Sequence, residues 1–215
     1  MKNALAAVLI MFVALAVSAE PSFEGAPKIT LKHNKNDGDP VNIILIGAKN
    51  DIVEAMLSAG WTVADPLTVR NLAHEVESVV ARRAYKRAPV SSLYLFGRKQ
   101  DMVFEQLKGK SPKHRHHVRF WASEDFGTEK PAWFGAATYD RSVGLSKYNG
   151  AITHHIDPDV DRKRDKIAGD LRSAGKLEKM DYIEGVGFTA GKRNGEGDLY
   201  RTDGKVAVCY ITAGQ

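Results

Sequence analysis

The chain has 215 residues, 31 Lys and Arg against 26 Asp and Glu, a formal net charge of +5, and a single cysteine, Cys209. One cysteine excludes an internal disulfide and a cysteine-rich structural zinc site. Basic and acidic residues are interleaved throughout, which excludes the one-signed stripe of a nucleic-acid binder.

At the N-terminus, Lys2 supplies one positive charge, Ala4 to Val17 form an apolar stretch, and Val17-Ser18-Ala19 precedes Glu20. This order predicts a secretory leader, residues 1–19, ending at Ala19, and hence a periplasmic or secreted protein. The apolar run is shorter than the ~20 residues that span a bilayer comfortably, and no later segment is apolar enough to span. The Pro-, Gly- and Asn-rich residues 20–40 read as a flexible tether with one short strand at Lys28 to Lys32. The folded domain is expected over residues 41–215, a length that buries an ordinary core.

Val41 to Ile46 is a continuous apolar run closed by Gly47, as a strand buried on both faces would be. Lys49 to Ala59 spaces Ile52, Val53, Met56 and Leu57 for a helix that Gly60 stops, and Thr68 to Arg83 carries a second stripe, Leu72, Val76, Val79 and Val80. After Pro89 the period changes to two, with Leu93, Leu95, Met102, Phe104, Val118, Phe120, Trp133, Phe134 and Ile152 in short extended segments. Pro158 to Ala174 reads as helical again, and Tyr182 to Thr189 and Val206 to Thr212 as the last strands, joined by a glycine-rich loop, Gly191 to Gly204. The predicted fold class is α+β, a mainly antiparallel sheet with about three helices packed on it.

Of the seven histidines, four form the doublets His116-His117, in RHHVRFW, and His154-His155, in THHIDPDVD. Imidazole and carboxylate together bind divalent metals or move protons near neutral pH. On a strand, Arg115, His117, Arg119 and Trp121 point to one side, a row suited to clamping a phosphate or carboxylate. An exposed face with ordinary ion pairs explains the same row equally well. Only one member of each doublet is expected to reach a shared site, and His117 and His155 are the pair chosen. Asp157 closes the second histidine strand, although Asp-Pro is also a natural helix start and Asp159 and Asp161 suit its first turn. Tyr139, Asp140 and Arg141 leave an apolar strand for a loop, a common setting for site residues; an Asx turn accounts for Asp140 as well. Arg98 and Asp101 read as a hairpin turn. No HExxH, P-loop, dinucleotide fingerprint or GxSxG elbow is present.

The strings GDPVNIILIG, AGWTVADPLTVR, APVSSLYLFGRKQDMVFE, RHHVRFW, FGAATYDRSVGLS and ITHHIDPDVDRKRDKIAGDL resemble the LssY C-terminal domain family, over about Gly38 to Gly175. In larger relatives this domain adjoins multi-pass membrane regions resembling DedA proteins or lipid-phosphate phosphatases, so the resemblance implies an accessory role in the cell envelope. The phosphatase motif itself does not occur in this chain.

Two functions follow as expectations. In the first, a non-catalytic module binds an anionic or phosphate-bearing envelope ligand, or a membrane-protein partner, through Arg115, Arg119, Arg141, Tyr139 and Trp121. In the second, a hydrolase uses His117, His155, Asp157 and Asp140 for acid-base work, with His117, His155 and Asp157 holding a divalent metal.

Overall fold

The computed structural model describes residues 21–33, 35–70, 72–73, 76–78, 80, 91–108, 114–145, 150, 152–187 and 189–214. The expected leader lies outside the described residues, as do residues 81–90, which hold the end of the second expected helix. In chain order the elements are β1 (Ile29–Leu31), β2 (Asp37–Pro40), β3 (Ile43–Ile46), α1 (Lys49–Ser58), β4 (Thr62–Val63), α2 (Pro66–Val69), β5 (Tyr94–Leu95), β6 (Arg98–Lys99), β7 (Met102–Leu107), β8 (Arg115–Ser123), β9 (Ala132–Leu145), β10 (Ile152–Ile156), α3 (Asp161–Ser173), β11 (Leu177–Glu184), β12 (Thr189–Arg193), β13 (Leu199–Thr202) and β14 (Lys205–Ile211).

The main sheet runs β11-β14-β3-β9-β8-β7-β4, with β10 paired to the outer half of β9. All of its pairings are antiparallel except β14 with β3. Strand β3 is buried on both faces, as its unbroken apolar run requires. Ile43 and Leu45 join the core shared with Ile52 and Met56 of α1 and Ile167 and Leu171 of α3. Ile44 joins Leu93, Leu95, Trp121 and Phe134 on the other side. There a small sheet, β2-β1-β5-β6, covers the main one, with Phe23 packed beside it against Phe134.

Several boundaries depart from the sequence reading. The stretch expected as a tether carries β1 and β2, tied together by Thr30 Oγ1, which accepts from Asp39 N at 2.8 Å. The second helix is short, α2, with residues 76–78 and 80 helical beyond it. Helix α3 begins at Asp161 rather than Pro158 because Pro158 O accepts Arg201 N and Asp159 bridges to Arg201, which holds that segment extended. Tyr182 to Thr189 divides between β11 and β12, and the glycine-rich loop is largely the β12–β13 hairpin. The sheet dominates and the helices cover one face, so the α+β class is only coarsely right. Gly135 is obligatory: a Cβ there would stand 2.6 Å from both Phe120 and Ile43.

Candidate functional site

Alternation along β8 puts Arg115, His117, Arg119 and Trp121 on one face, as the sequence predicts, but that face points into the protein. Their exposures are 2%, 3%, 3% and 0%. Buried charge is tolerated only when paired and hydrogen-bonded, and the neighbouring strands supply partners. Arg115 Nε donates to Asp140 Oδ2 at 2.9 Å and its Nη1 to Glu105 Oε2 at 3.1 Å. His117 Nε2 and Thr138 Oγ1 are 2.8 Å apart. His117 Nδ1 lies 3.3 Å from Asp140 Oδ1, at ion-pair distance but off the line of a hydrogen bond. Burial alone would raise the Asp140 pKa; His117 and Arg115 outweigh it and hold the carboxyl well below the usual range.

Arg119 is less completely satisfied. Its Nε donates to Ser91 O at 3.0 Å and Nη2 to Ser91 Oγ at 3.3 Å. Its Nη1 is buried without a hydrogen bond, 3.6 Å from Asp39 Oδ2. Trp121 is core, with its indole N–H given to Arg98 O. Arg98 pairs with Asp101, whose Oδ2 also accepts Ala122 N at 2.8 Å, so this turn is structural.

The second doublet contributes His154, not His155. The pairing of β10 with β9 shifts between Ser142↔His155 and Asp140↔Ile156, so Asp140 and Arg141 together oppose one residue. Such a bulge interrupts strict alternation. His154 has its pKa lowered by burial, against the pull of Asp140 and with Arg115, His117 and Arg119 adding to the effect, which places it in the electrostatic field of the cluster. His155 instead pairs through Nδ1 with Asp198 Oδ1 at 2.7 Å. Its Nε2 lies 2.5 Å from where a Cβ on Gly144 would be, so only glycine fits there. Asp198 Oδ2 also accepts Ile156 N, which fastens the β12–β13 hairpin to β10. Asn194 Nδ2 to Asp39 Oδ1, at 3.1 Å, fastens the same hairpin to β2.

Asp157 is elsewhere again. Its Oδ1 accepts Asp159 N at 2.9 Å, an Asx turn, and its Oδ2 is 3.9 Å from Lys163 Nζ. The expected metal set of His117, His155 and Asp157 is therefore not assembled: each carries its own partner. Among the described residues, no group of three or more His, Cys, Asp or Glu is placed to hold a metal ion. Asp161 binds Thr202 Oγ1 and Asp203 N rather than serving the helix end alone. Arg141 is exposed. Burial pushes the Cys209 thiol up to about 12, so it behaves as a small apolar group.

On the opposite, helix-covered face of the same strands lies a constellation that the sequence did not single out. His116 and Tyr139 pair across β8 and β9, with ring centroids 4.6 Å apart. Lys163, from the first turn of α3, holds Nζ 4.8 Å from the Tyr139 centroid, and Lys108, just past β7, holds its own at 5.8 Å. Lys163 is 8% exposed, yet its contacts are that ring and the long pair with Asp157. His116 is lowered to about 4 by burial first, then by Lys166 and Lys163, and its Nδ1 is buried without a partner. Lys166 is committed to Asp170, which also accepts Trp61 Nε1.

A family model described as "LssY C-terminus" matches residues 23–206. The chain belongs to the LssY C-terminal family. No curated protein and no solved structure matches it. The LssY match begins at Phe23, so it takes in β1 and β2. No helix among the described residues of this LssY-type chain is long and apolar enough to cross a membrane.

Proposed function

We propose that this chain is an exported cell-envelope domain that binds an anionic, phosphate-bearing ligand and performs no chemistry on it. The observation that carries the reading is the Lys163 ammonium, almost wholly withdrawn from water and without a hydrogen-bond acceptor. Desolvating an ammonium is costly unless an anion or acceptor meets it. With Lys108 on the same ring and a neutral imidazole beside it, the cluster is short of one negative partner. The ligand residues are therefore Lys163, Lys108, His116 and Tyr139, of which only Tyr139 was expected. Arg115 and Arg119 serve as scaffold, because carboxylates and Ser91 already occupy most of their donors. Calorimetric titration of the protein with inorganic phosphate tests this: measurable binding that is lost in Lys163→Met is expected, and no binding, or binding indifferent to Lys163, would refute it.

The hydrolase reading rests on the sequence Asp140, His117, Thr138, which orders acid, imidazole and hydroxyl as a nucleophilic relay does. Thr138 and His117 are 1% and 3% exposed, so an ester has no approach to the hydroxyl. Ester turnover abolished by Thr138→Val would restore this reading.

A further inference from the structure

One end of the main sheet gathers features that the binding site alone does not use. Leu107, the last residue of β7, pairs with Arg115, which pairs with Asp140. Strand β9 continues past Asp140 to Leu145 and returns as β10. The β7–β8 turn and the tip of the β9–β10 arm therefore lie at the same end, one rung beyond the His116–Tyr139 pair. Three large apolar side chains protrude there: Leu107 at 47% exposure, Val143 at 41% and Leu145 at 65%. Lys108, His114 and Arg141 are exposed around them. Neither turn sequence, 107–114 or 141–150, contains an acidic residue, while they contain Lys108, Lys110, Lys113, Arg141 and Lys147.

Protruding aliphatic tips within a basic, acid-free border match the interface of an anionic bilayer, in which apolar side chains enter the headgroup boundary while cations meet phosphate. A soluble phosphate compound would need only the lysines and would gain nothing from Leu145. A protein partner would call for a broader apolar area than three separated tips. We infer that this end of the sheet docks on an anionic lipid surface, a headgroup phosphate being taken between Lys163 and Lys108 while Leu107, Val143 and Leu145 enter the interface. This rests on the reading of Lys163 and its neighbours as an anion site, and it names the ligand as a phospholipid rather than a free phosphate compound.

The test uses the protein recovered after expression of the full-length sequence, with vesicles of phosphatidylglycerol and phosphatidylcholine, vesicles of phosphatidylcholine alone, and soluble glycerol phosphate. Cosedimentation is expected with the anionic vesicles only and weakens as salt rises. Lys163→Met should weaken vesicle binding about fivefold, the typical contribution of one cation near an anionic surface, and should also abolish glycerol phosphate binding. The triple variant Leu107→Ser, Val143→Ser, Leu145→Ser, whose sites are all exposed, should lose vesicle binding at least tenfold and keep glycerol phosphate binding unchanged. If the triple variant binds vesicles as well as the parent, or the parent binds glycerol phosphate but no vesicles, the lipid inference falls while the anion site stands. If neither ligand binds, both fall. Sedimentation analysis of the same proteins covers the remaining occupant: a dimer of the parent abolished in the triple variant would make the tips a self-interface and overturn the inference.

Discussion

Arg115 and Asp140 face each other across β8 and β9, joined by a 2.9 Å Nε–Oδ2 hydrogen bond, with neither side chain more than 3% exposed. Removing one partner of such a pair leaves an uncompensated buried charge. Asp140→Ala should destabilise the protein by about 3–5 kcal/mol, read as a lower urea midpoint. A smaller loss than 1 kcal/mol would mean that water reaches Arg115.

Acid should unfold the protein in two stages. His116 takes up its proton at about 4 in the folded state against 6.5 ordinarily, so the unfolded chain binds more protons between those values and stability falls as pH drops through them. His154, lowered in the same direction by burial, adds to this limb. Because the His116 ring is only partly buried, its share is on the order of 1 kcal/mol. Asp140, depressed in the folded state, contributes stability that is lost at still lower pH. Denaturation midpoints between pH 7 and 3 should show both limbs, and His116→Leu should flatten the first.

Lys163→Met should leave stability unchanged or raise it by up to about 1 kcal/mol, since the ammonium is desolvated with only a 3.9 Å pair to offset the loss. Lys166→Met, which breaks an i,i+4 pair with Asp170, should instead cost about 0.3–0.5 kcal/mol. The opposite order in thermal melting would show that Lys163 is already satisfied.

Asp198→Ala removes the acceptor of both His155 Nδ1 and Ile156 N. The expected result is faster amide exchange in β12 and β13 and at Ile156, with protection in β3 and β14 unchanged, because the hairpin pairs with no strand of the main sheet. Uniform loss of protection would show that the hairpin is part of the global folding unit.

The sequence was most informative where one interaction type decides. Burial on both faces is legible in Ile43 to Ile46, and helical spacing in Ile52, Val53, Met56 and Leu57, because apolar period follows directly from geometry. The family was legible in the strings around the histidine doublets. The direction of the β8 face was not, since alternation says which residues share a side but not which side is covered, and the covering strands β1 and β2 lay in a stretch whose Pro and Gly content resembles a tether. His155 was preferred over His154 because the bulge at Asp140 and Arg141 has no local signature. Lys163 gave no signal at all: in Asp-Arg-Lys-Arg-Asp-Lys it is one charge among many, and only the packing of α3 over Tyr139 sets it apart.

The one-residue offset between β9 and β10 has a broader consequence. It assigns two neighbouring imidazoles to different jobs, one turned toward interior charge and the other pinning a peripheral ribbon. Shortening β9 by deleting Arg141 would restore simple alternation and exchange those jobs, leaving Asp198 without its ring and the interior with a histidine it did not fold around.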